Sequence, residues 1–78
     1  MAENLTHIFS CYLADLLESG KFDLNDTWYV SQEFAKVCEQ VKTREDLLNF
    51  LGPFLNDYPE FSDLKVKLEN KNFIFNYI

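Results

Sequence analysis

The sequence contains few of the residues that carry chemistry. It has one histidine, two cysteines, two glycines and two prolines among 78 residues. A single histidine and no glycine-rich loop provide neither a catalytic constellation nor a phosphate-binding turn, so we expect no enzyme, cofactor or small-molecule substrate. The scarcity of glycine and proline, and the lack of any biased segment, also exclude a disordered or low-complexity chain.

Long apolar runs and regular cysteine spacings are also missing. No apolar run approaches the roughly 20 residues of a membrane-spanning helix, and no basic residue precedes the N-terminal run, so a signal peptide is not expected. Cys11 and Cys38 lie far apart without the spacings of a disulfide framework, which favours a reducing compartment. The sequence therefore predicts a cytoplasmic protein that is not attached to a membrane.

Positive charge is scarce. Thirteen acidic and seven basic residues give a net charge of −6, and residues 1–35 hold six acids against one lysine, a balance of −5. Long-range attraction to nucleic acid or anionic lipid is therefore not favoured. An acidic inhibitor that imitates DNA remains one alternative, and it requires these carboxylates to form a continuous acidic face.

Apolar and aromatic residues are abundant, at 47% and 17% of the chain, and most recur at helical spacing. The pattern predicts three helices, over about residues 4–19, 31–42 and 44–58. Gly20 would end the first, Ser31 would cap the second, and Pro53 should kink or divide the third.

Two other segments predict β-structure. The β-forming residues 27–30 favour a short strand between the first two helices. Apolar and polar residues then alternate on both sides of Asn70-Lys71, which predicts a C-terminal β-hairpin with strands at about 64–69 and 72–78. Leu68 would pair with Phe73 and Leu64 with Tyr77 on its buried face.

These elements predict one small α+β domain over residues 1–78, with a three-helix core and a winged-helix-like order of elements. A winged-helix nucleic-acid-binding protein is therefore a second alternative, with the third helix in the major groove. The exposed face of that helix argues against it, because Glu45, Asp46 and Asp57 would repel phosphate and Arg44 is its only basic residue. Lysines of the hairpin could still contact phosphate.

The candidate functional residues are those of a protein interface. The exposed face and free edge of the hairpin invite pairing with a second copy or with another protein. The residues expected there are Lys65, Lys67, Ile74 and Ile78. His7 and Cys11, spaced i and i+4 on the first helix, form half of a zinc site, but too few further ligands exist, so we assign no metal and treat the pair as candidate interface. The predicted function is a non-catalytic interaction or regulatory module that dimerises or docks a partner.

Overall fold

A computed structural model describes residues 3–76, and every regular element in that range is helical. In chain order the elements are α1, Leu5–Glu18; α2, Leu24–Ala35; a 3₁₀ turn, Cys38–Gln40; α3, Arg44–Leu51; a second 3₁₀ turn, Gly52–Phe54; and α4, Phe61–Glu69. The described residues contain no strand and no sheet, so the predicted α+β, winged-helix-like fold is wrong.

Side-chain caps determine where the first three helices begin. Asn4 accepts a hydrogen bond from the backbone N–H of His7 at 3.0 Å, and Asp23 accepts one from Asp26 at 2.7 Å. At α3, Thr43 and Asp46 form a reciprocal capping box. Because such caps are local, these helix starts follow from a few neighbouring residues.

Residues 27–30, predicted to form a short strand, lie in the middle of helix α2. The strand prediction is therefore wrong. The cap at Asp23 starts this helix at Leu24, well before the predicted residue 31, and Val30 and Phe34 form its buried i, i+4 face. Trp28 is an exposed side chain on this helix, so its β-propensity contributes little here. The second helix therefore begins earlier and ends earlier than predicted.

The predicted hairpin is also wrong, because its first strand is helix α4. Phe61, Leu64 and Leu68, spaced i, i+3 and i+7, are buried, whereas Val66 is 63% exposed. Leu64 and Leu68 are four residues apart, a spacing that places them on the same face of either a strand or a helix. The alternation of apolar residues alone therefore could not distinguish the two structures. After Glu69 the chain continues without regular structure to residue 76. Tyr77, the predicted partner of Leu64, lies outside the described residues.

The third helix is divided near its proline. α3 ends at Leu51, and Pro53 lies within the second 3₁₀ turn, because proline removes a backbone donor and crowds the preceding turn. At the other end of the sequence, α1 matches the predicted helix over 4–19 to within one residue at each end.

An aromatic cluster holds the helices together. The ring of Phe9 lies 4.6 Å from that of Phe34, 5.6 Å from Phe50 and 5.9 Å from Phe61. The Phe61 ring also lies 5.3 Å from that of Phe22, in the turn between α1 and α2. Each of the four helices thus contributes at least one ring to a single core, and α1 lies at its centre.

Arg44 ties both ends of the described chain to the start of α3. Its guanidinium donates hydrogen bonds to the Glu3 carboxylate, at 2.8 Å from Nε, and to the carbonyl oxygens of Asn70 and Phe73. The bond from Arg44 lowers the pKa of Glu3 below its ordinary value. The guanidinium also lies 5.1 Å from the centre of the Phe75 ring. One side chain therefore holds residues 70–75 against the helices.

Substitutions in α4 distinguish the helix from the predicted hairpin. We expect Leu64→Ala to lower the free energy of unfolding by about 2–5 kcal/mol, because it leaves a cavity in the core. Val66→Ala should change it by less than about 0.5 kcal/mol, because the side chain is exposed. Urea unfolding followed by circular dichroism measures both. Comparable losses for the two variants would contradict the helix, since in a hairpin both residues face the core.

The α3 capping box predicts a pH-dependent stability. Backbone N–H groups of Lys42 and Thr43 donate to the Asp46 carboxylate at 3.0 Å each, and they lower its pKa below the ordinary value. A pKa that is lower in the folded state gives stability that is complete above the unfolded pKa and is lost as the pH falls through the folded pKa. We expect Asp46→Ala to destabilise the protein at pH 7 and progressively less below about pH 4. Thermal unfolding across this range measures the effect, and an equal loss at every pH would contradict it.

Candidate functional site

The candidate site is an open groove between α1 and α2, with a volume of about 410 Å³. A short turn at residues 19–23 connects the two helices, and connections of this length favour antiparallel neighbours. The residues that line this α1–α2 groove are Thr6, Phe9, Ser10, Leu13, Ala14, Leu17, Thr27, Ser31, Phe34, Ala35 and Cys38. Its surface is mostly apolar. The buried side chains of Phe9, Leu13 and Phe34, which belong to the hydrophobic core, form its floor.

None of the residues that line this groove is charged, although 26% of the chain is. A second groove of about 440 Å³, between α2 and α3, provides a contrast: Glu33, Lys36 and Asp57 are among its lining residues. Depletion of charge is a property of the buried centres of protein interfaces, whereas ordinary surface carries charged side chains. The α1–α2 groove therefore resembles a surface that another protein covers.

Small side chains form the walls of the groove. Thr6, Ser10 and Ala14 follow one another at four-residue spacing on α1. On α2 the same spacing brings Thr27, Ser31 and Ala35 to the groove. Because these side chains are short, an incoming element can approach the two helices closely.

Large apolar side chains are exposed at the end of the groove next to the α1–α2 turn. Leu17 lines the groove and is 37% exposed, and Leu24 and Trp28 are 71% and 65% exposed. Leu24, Trp28 and Ser31 are spaced i, i+4 and i+7, so all three lie on one side of α2. The apolar surface thus extends from the groove onto the rim of α2.

Carboxylates are concentrated around this same end of the molecule. The loop before α4 packs beside the α1–α2 turn: the Phe22 and Tyr58 rings are 5.1 Å apart, and the Tyr58 hydroxyl donates to Asp26 at 3.3 Å. Burial, together with the charge of Asp26, raises the pKa of Tyr58. We define the acidic end as the last turn of α1, residues 21–26 and residues 57–60. Its charged residues are Asp15, Glu18, Lys21, Asp23, Asp26, Asp57 and Glu60.

The acidic end has a net charge of −5, from six carboxylates and one lysine, and the rest of the molecule has a net charge of −1, from seven carboxylates and six basic residues.

The six acids of residues 1–35, which an imitation of DNA would use, do not share one face. Glu3 pairs with Arg44, and Glu33 pairs with Lys36 at 2.7 Å. The structure thus offers no support for the continuous acidic face that an imitation of DNA requires.

The predicted interface pair on α1, His7 and Cys11, lies outside the α1–α2 groove. Nε2 of His7 and Sγ of Cys11 are 3.5 Å apart. Within residues 3–76, no group of three or more histidine, cysteine or acidic side chains is placed to hold a metal ion. His7 and Cys11 are therefore neighbours on α1 and are separate from the candidate site.

The other predicted interface residues are not part of one exposed sheet face. On α4, Lys65 pairs with Glu69 and Lys67 with Asp63, each at 3.1 Å. Ile74 is 75% exposed and lines a shallow pocket of about 220 Å³ together with Lys67. Ile78 lies outside the described residues. The structure thus brings Lys67 and Ile74 together and provides no hairpin edge for pairing within residues 3–76.

The surface expected to read DNA is likewise absent from the described part of the chain. A winged helix needs a hairpin wing beside its recognition helix, and the residues of the expected wing form α4 and the segment that follows it. The basic side chain at the start of α3, Arg44, binds Glu3 and the backbone of residues 70 and 73. It is thus engaged within the protein.

The residues of the α1–α2 groove were missed by sequence reasoning, although a signal was present. Thr6-Ser10-Ala14 and Thr27-Ser31-Ala35 are two matching series of small residues at four-residue spacing. The second series was hidden because residues 27–30 were assigned to a strand. Trp28 lies in the same segment, so its exposed position on a helix was missed as well.

Comparisons with protein-family models, with curated proteins and with solved structures give no match. None of the helices in residues 3–76 is long and apolar enough to cross a membrane. The groove, its apolar rim and the acidic end are therefore the features from which a function can be inferred.

If the groove lacks charge because a partner covers it, then the fold itself should tolerate charge there. We expect Ala14→Lys, in an exposed position of the groove wall, to change the free energy of unfolding by less than about 0.5 kcal/mol. The neighbouring buried residue provides the control, because Leu13→Ala should cost about 2–5 kcal/mol. Urea unfolding measures both. A loss of more than about 2 kcal/mol for Ala14→Lys would contradict this interpretation, because it would make the groove wall part of the folded core.

Proposed function

We propose that this chain is a non-catalytic protein-interaction module that binds one amphipathic helix of a different protein in the α1–α2 groove. The single observation that carries the proposal is that none of the residues within 3–76 that line a groove of about 410 Å³ is charged. Association is favoured when such a surface leaves water, because apolar area is buried and few charges lose their hydration.

The shape of the groove favours a helix as the occupant. The groove lies between two neighbouring helices, and its α1 lining from Thr6 to Leu17 spans roughly 16 Å at 1.5 Å per residue. An amphipathic helix of about three turns matches this length and presents apolar side chains at i, i+3, i+4 and i+7. The exposed Leu17, Leu24 and Trp28 would cover the apolar face of that helix at one end.

The distribution of charge favours a different protein over a second copy of this chain. Each copy has a net charge of −6, so two copies repel each other at long range. A second copy also offers no strongly basic region to face the acidic end, because the rest of the molecule has a balance of −1. Dimerisation is therefore the less favoured of the two modes of interaction.

A reducing compartment such as the cytoplasm is the location we propose for this module. Cys11 and Cys38 are both free thiols, and thiols persist where glutathione and thioredoxin keep them reduced. The groove also supports a binding role over catalysis, because Cys38 is its only titratable lining residue and a catalytic site needs several such groups in contact.

The two cysteines provide a test of the docking site. Cys38 lines the α1–α2 groove and Cys11 does not, so N-ethylmaleimide labelling followed by mass spectrometry compares the two sites within one molecule. We expect Cys38 to react several-fold more slowly in cells that contain the partner than in the purified chain, and Cys11 to react at a similar rate in both. The protection should be lost in Ala14→Gln, which places a larger polar side chain in the groove.

Ser62→Gln is the matched control, because Ser62 is exposed on α4 and does not line the groove. This variant should keep the protection of Cys38. Equal labelling rates in cells and in the purified chain, or protection that survives Ala14→Gln, would contradict the proposal. Protection that increases with the concentration of the purified chain would also overturn it, because the occupant would then be a second copy.

A further inference from the structure

We infer that the helix bound in the α1–α2 groove carries basic residues at one of its ends, and that these residues lie against the acidic end of this molecule. This inference rests on the proposed function, because it names the chemistry and the orientation of the helix that the groove binds. Two independent features lead to it: the uncharged lining of the groove, and the excess of carboxylates over basic residues in the part of the molecule at one end of that groove.

The two features adjoin each other in the sequence and in the structure. Glu18 directly follows Leu17, the last α1 residue of the groove lining, and Asp23 directly precedes Leu24 on the apolar rim. The loop that carries Asp57 and Glu60 contacts the turn that joins the two helices: the Phe22 and Tyr58 rings are 5.1 Å apart, and the Tyr58 hydroxyl donates to Asp26 at 3.3 Å. A helix in the groove therefore has one end beside Glu18 and Asp23, in the part of the molecule that carries the other carboxylates of the acidic end.

Within residues 3–76, the carboxylates of Glu18, Asp23, Asp26, Asp57 and Glu60 form no ion pair with a basic side chain. The acidic end holds six carboxylates and a single lysine, Lys21. Elsewhere in the described chain the carboxylates of Glu3, Glu33, Asp63 and Glu69 form ion pairs with basic side chains. The excess of negative charge is thus local, and a partner with lysine or arginine at this position would gain most from it.

The opposite end of the groove differs in charge, and this difference gives the partner an orientation. Thr6, Ala35 and Cys38 line the groove there, in the part of the molecule with a balance of −1. A helix with basic residues at one end only would therefore bind in one direction. The apolar contacts are similar in both directions, so charge decides between them.

The test uses three synthetic helical peptides of about 16 residues that share one alanine- and leucine-rich apolar face. Their last turn carries three lysines, three glutamines or three glutamates, and none contains tryptophan. Trp28 is the only tryptophan of the chain and lies beside the groove, so stopped-flow fluorescence reports the association rate. At low salt we expect the lysine peptide to associate roughly tenfold faster than the glutamine peptide, and the glutamate peptide to associate most slowly.

Two matched triple variants test whether the acidic end causes the faster association of the lysine peptide. In Glu18→Gln/Asp23→Asn/Glu60→Gln the advantage of the lysine peptide should fall several-fold, and asparagine at position 23 keeps the N-cap of α2. In Glu39→Gln/Glu45→Gln/Asp63→Asn it should persist, although the change in net charge is the same. The advantage should also shrink in 0.5 M salt, where charges are screened within a few Å. A repeat with the lysines moved to the first turn of the peptide should give a similar advantage, because the helix would then bind in the reverse direction; loss of the advantage would contradict the statement that charge decides the direction.

The outcomes separate this inference from the proposed function. Equal rates for the three peptides, with binding abolished by Ala14→Gln, would overturn the basic-end inference and leave the groove as the docking site. Equal effects of the two triple variants would overturn it as well, because the attraction would then depend on net charge alone. If none of the peptides binds, or if binding is unaffected by Ala14→Gln, the proposed function fails and the inference fails with it.

Discussion

The aromatic cluster around Phe9 and Phe61 is the interaction on which the rest of the structure depends. A chain of 78 residues buries only about 60–65% of the surface that it exposes when unfolded, so one core must hold every element. Rings from all four helices meet there at centroid distances of 4.6–5.9 Å, and large rings bury much area for each residue that becomes ordered. Because each helix turns one side towards this cluster, the outer sides of α1 and α2 remain available to form a groove.

Arg44 acts at the edge of this core. Residues 70–76 contain no helix or strand, so the carbonyl oxygens of Asn70 and Phe73 accept no hydrogen bond from a regular helix or sheet ladder. The guanidinium supplies donors to these two carbonyl oxygens and a cation for the Phe75 ring while it also binds Glu3. A planar group with five donors can do this, whereas the compact ammonium of lysine cannot make such forked contacts. The one basic residue on the exposed face of the predicted third helix is thus used to fix the two ends of the described chain.

The extent to which the sequence predicts this fold depends on how local the determining interactions are. α1 was predicted closely because its apolar spacing and its terminating glycine are both local signals. α4 was not, because Leu64 and Leu68 fit a strand and a helix equally, and the choice is made by Phe61, whose ring is buried against Phe9 from a distant part of the chain. The groove could not be predicted without the correct start of α2, because its second wall exists only if Thr27 and Ser31 belong to one helix.

The contrast between groove and acidic end implies a division of roles in binding. Walls of threonine, serine and alanine bury apolar area but provide no deep pocket for a particular side chain, so they distinguish poorly between one apolar helix and another. Selectivity between such helices must then come from another feature, and charge placed at one end supplies both selection and direction. A carboxylate within the groove would lose its hydration when the helix binds. The same carboxylate at the end of the groove remains in contact with water and still attracts a basic partner, which gives a physical reason for the segregation of charge in this chain.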